Sequence, residues 1–193
     1  MRWLDERGRP SPFFLWLHLY DPHDPYTPPE PYASRYPRQP YNAEVAFTDS
    51  LVGRFREALE ARGLLDRSLV ILTADHGEGL GDHGERFHGF FVYETTIHVP
   101  LIIRFPHAAR AGTVAADPVS HVDLMPTILD AVGLPVPDDL EGPSRAAGLL
   151  CPRRSPQSNR PTGSSAGSPR EGARDPERLT AQIDPGAGAS LPR

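Results

Sequence analysis

Histidine and acidic side chains concentrate in two short segments of the 193-residue sequence, 18–26 and 75–89. The second segment holds three His, two Asp, two Glu and five Gly. Carboxylates and imidazoles are common ligands of divalent cations, and Gly lets the backbone approach an ion or oxyanion closely. The two segments therefore predict a site for a metal ion or an anion.

The spacing of apolar residues predicts the elements that must position these segments. Continuous apolar runs predict buried strands, and apolar residues three, four and seven apart predict one face of a helix. A stretch with seven prolines must be a loop, because Pro removes a backbone donor and restricts its neighbour. The predicted strands are 13–19, 68–73 and 99–105, the helices are 41–62 and 122–132, and the loop is 21–40.

Alternating strands and helices predict an α/β domain with a mostly parallel sheet and flanking helices. Ligands of such sheets lie beyond the carboxyl ends of the strands. The first polar segment begins at the end of the predicted strand 13–19, and the second begins two residues after Thr73, the end of the predicted strand 68–73. This placement favours a site over the alternative, an ordinary polar turn. Four other polar residues of the second segment are interpreted as solvated loop residues: Glu78, Asp82, Glu85 and Arg86. His98 and His107 are interpreted as surface residues.

Composition divides the chain near residue 142. From 143 to 193, 36 of 51 residues are Pro, Gly, Arg, Ser or Ala, and none is aromatic. Such a segment cannot bury enough apolar surface to offset the entropy of ordering it. We therefore expect a partial α/β domain over 1–142 and a disordered tail over 143–193.

Several functional classes are excluded by composition. No Lys is present, which excludes Schiff-base chemistry and a phosphate-loop lysine, and the single Cys forms no internal disulfide. The net charge of -5 does not suggest nucleic acid as a partner. No apolar run is long enough for a membrane helix, and the first residues do not form a secretory signal. The chain as given is thus expected in the cytoplasm, unless its true N-terminus lies upstream.

Three motifs follow one another along the chain: Thr-Ala-Asp-His-Gly-Glu at 73–78, Gly-Asp-His-Gly-Glu at 81–85 and Val-Pro-Leu-Ile-Ile at 99–103. These motifs carry a resemblance to the sulfatases of the alkaline phosphatase superfamily. The resemblance also includes Asp-Pro-His-Asp-Pro-Tyr at 21–26, and it extends collinearly over about residues 12–142. It implies an incomplete alkaline-phosphatase-like fold and a hydrolase of sulfate esters.

The resemblance also implies roles for five residues. Asp75 and His76 match the family's late pair of metal ligands, which implies a divalent metal, with Ca²⁺ favoured and Mn²⁺, Mg²⁺ and Zn²⁺ left open. His23 matches a histidine that contacts the anionic oxygens of the ester. His88 lies where many sulfatases carry a Lys on the substrate oxyanion, so here an imidazole would supply that contact. His18 is a weaker candidate for binding substrate in the same anion pocket.

The family's nucleophile motif, Cys/Ser-x-Pro-x-Arg, does not occur in these 193 residues. Cys151 is followed directly by Pro, one place too early for the motif. We therefore expect this chain to be a fragment that lacks the nucleophile half of the domain and is inactive alone, and its parent protein could be exported.

Two alternatives remain open. The first is a phosphatase, phosphodiesterase or phosphonate hydrolase of the same superfamily, acting on phosphate rather than sulfate esters. The second is a non-catalytic remnant or binding module, which needs no nucleophile. The sequence fixes neither the substrate, nor the metal, nor the oligomeric state.

Overall fold

The structure is a computed structural model that describes residues 2–6 and 11–150, with the backbone alone for 149 and 150. Cys151 and the rest of the predicted tail lie outside the described residues. The chain divides into two compact units. Within the described residues, unit 1 comprises 2–6, 11–68 and 75–99, and unit 2 comprises 69–74 and 100–150.

The regular secondary structure that is described in unit 1 consists of helices. Its helices are α1 (Arg2–Glu6), α2 (Tyr32–Arg35), α3 (Pro40–Ala61) and α4 (Glu94–Ile97), with 3-10 turns at Leu65–Arg67 and Asp82–Gly84. The long helix α3 differs from the predicted 41–62 by one residue at each end.

The ends and the buried face of α3 follow from its sequence. Pro40 occupies its first position, where the missing N–H costs nothing, and Gly63 follows its end with a φ of 63°. The apolar spacing predicts that Val45, Val52, Phe55 and Leu59 form one face of this helix. Leu59 is buried, whereas Val45 is 42% exposed. Glu44 is buried instead, with 2% exposure. The inward face of α3 therefore carries a carboxylate that apolar spacing alone does not predict.

Unit 2 contains a two-stranded sheet and the C-terminal helices. Its elements are β1 (Val70–Thr73), β2 (Leu101–Arg104), α5 (Leu124–Ala131) and α6 (Ala146–Leu150), with 3-10 turns at Pro106–Ala108 and His121–Asp123. Pro126 lies in the first turn of α5, and Gly133, with a φ of 73°, follows its end.

Two predictions about the sheet differ from the structure. The strands β1 and β2 pair antiparallel, with Val70 opposite Arg104 and Thr73 opposite Leu101, so this pair does not show the expected parallel arrangement. The segment 13–19 forms no strand in the described structure, and Phe14 is 73% exposed. An apolar run indicates that a segment can be buried, but a strand also needs a hydrogen-bonded partner, whose presence and direction the run does not specify.

Packed structure continues beyond residue 142. The guanidinium of Arg145 donates from Nε to the buried Asp123 at 2.9 Å, and the Arg145 N–H donates to the Thr127 hydroxyl at 2.8 Å. Ala146 is 2% exposed. The first residues of the segment expected to be a tail therefore pack against α5. Among the described residues, no helix has the length and apolar character needed to cross a membrane.

Candidate functional site

The first polar loop of unit 1 is held by the buried carboxylate of α3. The N–H of His23 donates to Oε2 of Glu44 at 3.1 Å, and the N–H of Thr27 donates to Oε1. Thr48, one turn further along α3, donates its hydroxyl to the carbonyl of Asp21 at 3.0 Å. The helix therefore fixes the loop backbone on both sides of His23.

The side chain of His23 is oriented by its neighbours. Its Nδ1 lies 2.7 Å from the carbonyl of Asp24, and because a carbonyl only accepts, Nδ1 carries the hydrogen. Tyr20 stacks on the ring with centroids 4.6 Å apart. These contacts leave Nε2 as the nitrogen available to a ligand.

The second polar loop begins with Asp75 and His76, whose donor atoms converge. Oδ1 of Asp75 accepts the N–H of His76 at 3.1 Å, and Nδ1–H of His76 donates to the carbonyl of Gly77 at 2.8 Å. The free Nε2 of His76 then lies 3.9 Å from Oδ2 of Asp75. One carboxylate oxygen and one imidazole nitrogen are therefore presented together, with the ring held as in many metal-binding histidines.

The carboxyl of Asp75 has an altered acidity. Partial burial raises its pKa, but the backbone N–H groups of Asp75 and His76 and the nearby rings of His76 and His18 outweigh this effect. The net pKa lies below the ordinary value, so the group is a carboxylate at neutral pH.

Glycine at two positions allows the second loop to fold back on itself. The N–H of Gly77 donates to the carbonyl of Thr96 at 2.8 Å, and a Cβ at this position would collide with the carbonyl oxygen of Thr95. The N–H of Gly79 donates to the carbonyl of Phe87 at 3.0 Å, where a Cβ would lie 2.5 Å from that oxygen. The alternating glycines therefore permit close backbone contacts on either side of residue 78.

Glu78, between these glycines, is the polar centre of the loop. Its side chain is 7% exposed, and Oε1 lies 3.2 Å from Nδ1 of His88. Oε2 accepts the hydroxyl of Tyr26 at 2.8 Å. Burial and the contact with Glu78 raise the pKa of Tyr26 far above its ordinary value, and burial and the charge of Glu78 also raise the pKa of Tyr41.

Three imidazole rings meet at His88. The centroids of His76 and His88 are 3.9 Å apart, and those of His23 and His88 are 5.8 Å apart with the planes at 72°. The structure thus brings together His23, Asp75, His76 and His88. The fifth candidate, His18, is exposed, and it lies close enough to Asp75 to lower the pKa of that carboxyl.

Sequence reasoning misplaced two acidic residues of this loop. Glu78 and Glu85 were expected to be solvated, but Glu78 is buried as described above and Glu85 is 8% exposed, accepting the N–H of Phe90 at 3.0 Å. The glycines on either side of Glu78 were the sequence feature that could have predicted its burial, since they let the backbone fold around that side chain. Four residues expected at the surface are exposed: Asp82, Arg86, His98 and His107.

The pair Asp75 and His76 fits part of the coordination shell of a divalent ion. Carboxylate oxygen and imidazole nitrogen suit the expected metals, and both donor atoms face one another. Within the described ranges, no group of three or more His, Cys, Asp or Glu side chains is arranged to hold a metal ion. Asp75 and His76 are therefore candidate ligands only, and their metal-binding role stays a prediction.

A set of convergent imidazoles beside a paired carboxylate and imidazole defines a candidate site for an oxyanion and a divalent cation. The sulfatase family model matches residues 1–134. The chain therefore belongs to the sulfatase family, as the sequence resemblance predicted.

Individual relatives agree with this assignment. The chain is 41% identical over 104 residues to N-acetylglucosamine-6-O-sulfatase of Bacteroides thetaiotaomicron, a match covering 54% of this chain and 18% of the relative. It is 39% identical over 102 residues to arylsulfatase K of Homo sapiens, with 53% and 19% covered. Its structure is similar to the phosphonate monoester hydrolase of Silicibacter pomeroyi, with a TM-score of 0.55 and 37% identity, covering 64% of this chain and 24% of that one. The chain thus spans about a fifth of the length of these curated relatives.

Proposed function

We propose that this chain supplies part of the active site of a hydrolase that cleaves sulfate esters. The observation that carries the proposal is the meeting of His23, His76 and His88 next to the carboxylate of Asp75. The family assignment and the similarity to two named sulfatases support sulfate as the anion.

The proposed roles follow from the chemistry of a sulfate ester, whose electrophilic centre is shielded by negative oxygens. When their rings are protonated, His23 and His88 donate from Nε2–H to those oxygens or give a proton to the departing alkoxide. Asp75 and His76 hold a divalent ion, for which Ca²⁺ is favoured, and such an ion neutralises negative charge on the substrate. His18 adds a weaker contact at the exposed edge of the site.

We further propose that the 193 residues alone do not turn over substrate, because they contain no Cys/Ser-x-Pro-x-Arg motif. In an assay with p-nitrophenyl sulfate, the chain should show no release of nitrophenol above that of buffer. Turnover by the purified chain would show that another residue acts as the nucleophile.

Ion binding tests the site directly and needs no turnover. Calorimetric titration of the full chain with Ca²⁺, Mn²⁺, Mg²⁺ and Zn²⁺ should detect binding of at least one ion, and His76→Ala should weaken it about tenfold or more. His98→Ala is the matched control, since His98 is an exposed histidine paired with Glu94 at 3.2 Å, outside the site. Absence of binding by the unaltered chain would contradict the site and favour the alternative of a non-catalytic remnant.

The second candidate is hydrolysis of phosphonate or phosphate esters, which the similarity to a phosphonate monoester hydrolase favours. Inorganic sulfate, inorganic phosphate and methylphosphonate can be compared by following the His23 and His88 resonances during titration. Tightest binding of sulfate supports the first function, and tightest binding of methylphosphonate or phosphate supports the second.

A further inference from the structure

We infer that Glu78, supported by Tyr26, is a positioning residue that fixes the orientation and tautomer of His88. The inferred consequence for anion binding rests on the proposed function, whereas the tautomer itself does not. Neither residue is expected to touch the substrate.

The contacts of Glu78 define the arrangement. Its two oxygens are divided between partners, since Oε1 faces Nδ1 of His88 at 3.2 Å and Oε2 accepts the Tyr26 hydroxyl at 2.8 Å. The N–H of Gly79 adds a contact to Oε1 at 3.3 Å. A carboxylate that is 7% exposed needs such donors, because burial without them is costly.

The direction of the hydrogen bond determines which nitrogen of His88 meets a ligand. A carboxylate only accepts, so Nδ1 of His88 must carry a hydrogen. The remaining nitrogen, Nε2, is then the one available on a ring that contacts the rings of His76 and His23. The hydrogen bond to Glu78 thereby occupies Nδ1 of His88, and Nε2 stays available to the anion. In the protonated ring, Nε2–H donates to that anion while Nδ1–H stays on Glu78.

The chain offers a matched control for this pair. His98 and Glu94 have the same atoms, Nδ1 and Oε1, at the same distance of 3.2 Å, but their side chains are 53% and 80% exposed. An exposed pair of this kind is held weakly because water competes for both partners. Its histidine should therefore not be confined to one tautomer.

The test uses long-range ¹H–¹⁵N correlation spectra of the full 193-residue chain without ligand, at a pH where the rings are neutral. In the unaltered protein His88 should be the Nδ1–H tautomer. Glu78→Met has a similar length but no carboxylate, and His88 should then populate both tautomers. Glu78→Gln keeps one acceptor oxygen and should restore Nδ1–H, while Glu94→Met should leave His88 unchanged.

Several outcomes overturn the inference. It fails if His88 is the Nε2–H tautomer in the unaltered protein, or if Glu78→Met leaves the Nδ1–H tautomer in place. Should Glu78→Met not fold, the unaltered protein and Glu78→Gln decide the question, because each is expected to show Nδ1–H.

Titration with inorganic sulfate separates this inference from the proposed function. Sulfate affinity should fall about tenfold in Glu78→Met and stay unchanged in Glu94→Met. If the unaltered protein shows the Nδ1–H tautomer but does not bind sulfate, the proposed function fails and the positioning of His88 stands. If Glu78→Met loses the tautomer but binds sulfate as well as the unaltered protein, the consequence for anion binding is refuted and the proposed function survives.

Discussion

Replacing Glu44 by Gln should release the loop that carries His23. Glu44 is 2% exposed and accepts backbone hydrogen bonds from His23 and Thr27 with its two oxygens. In Gln one of these oxygens becomes an NH₂ group, which would face a backbone N–H with no acceptor between them. The substitution therefore removes one charge-assisted hydrogen bond and places two hydrogen-bond donors opposite each other.

The magnitude follows from the value of such a bond. Hydrogen bonds to charged groups contribute about 1.5–3 kcal/mol, and a loss of about 2–3 kcal/mol corresponds to a factor of about 30 to 150 in a local opening equilibrium. The assay is amide hydrogen exchange, which reports local opening at each N–H. Exchange at the amides of His23 and Thr27 should accelerate by that factor in Glu44→Gln.

The control is the same substitution at an exposed position of the same helix. Glu57 lies on α3 and is exposed, so Glu57→Gln should change exchange in the loop by less than about threefold. The reasoning is refuted if the two variants give equal exchange rates at His23 and Thr27, because Glu44 would then not hold the loop.

Three further predictions concern the loop, the C-terminal packing and pH. Gly77→Ala should lower the free energy of unfolding by about 2 kcal/mol or more, because the new Cβ collides with backbone, and it should weaken ion binding in calorimetry. The control is Gly53→Ala, which lies in open space on α3 and should raise the free energy of unfolding by about 0.5–1 kcal/mol. Denaturant unfolding should show that Arg145→Ala costs about 1–3 kcal/mol, because it unpairs a buried carboxylate, while Arg56→Ala, in an exposed ion pair, costs under about 1 kcal/mol. The raised pKa of Tyr26 keeps its hydroxyl protonated in the folded chain above about pH 10 while the unfolded chain loses that proton, so stability should fall above pH 10. The fall should be shallower in Tyr26→Phe when unfolding free energies are compared across pH, and equal slopes would contradict the assignment.

Local signals explain which elements the sequence predicts well. The helix α3 is predicted to within one residue because the apolar spacing along it is a local signal, although Pro40, the last residue of the predicted loop, is its first residue. The run 13–19 is as apolar as a strand, but no nearby residue specifies its partner, and the structure has no strand there. Strand direction is equally non-local, which is why the antiparallel pairing of β1 with β2 was not predicted.

The candidate site likewise has features that the sequence predicts and features that depend on partners distant in sequence. The resemblance to the sulfatases implied roles for His23, Asp75, His76 and His88, and the structure brings these four together, while their catalytic and metal-binding roles stay predictions. The supporting carboxylate of Glu78 was missed because its burial depends on Tyr26, which lies 52 residues earlier in the chain. A residue's type indicates its chemistry, but its burial is decided by partners that are distant in sequence.

The exposure of the tryptophans has an optical consequence. The chain has two Trp, and Trp16 is 78% exposed while Trp3 is 48% exposed and lies edge-on to Phe13. The indole of Trp16 already lies largely in water in the folded chain, so its emission should change little on unfolding. A change in indole fluorescence should therefore come from Trp3, which leaves its contact with Phe13 when the chain unfolds.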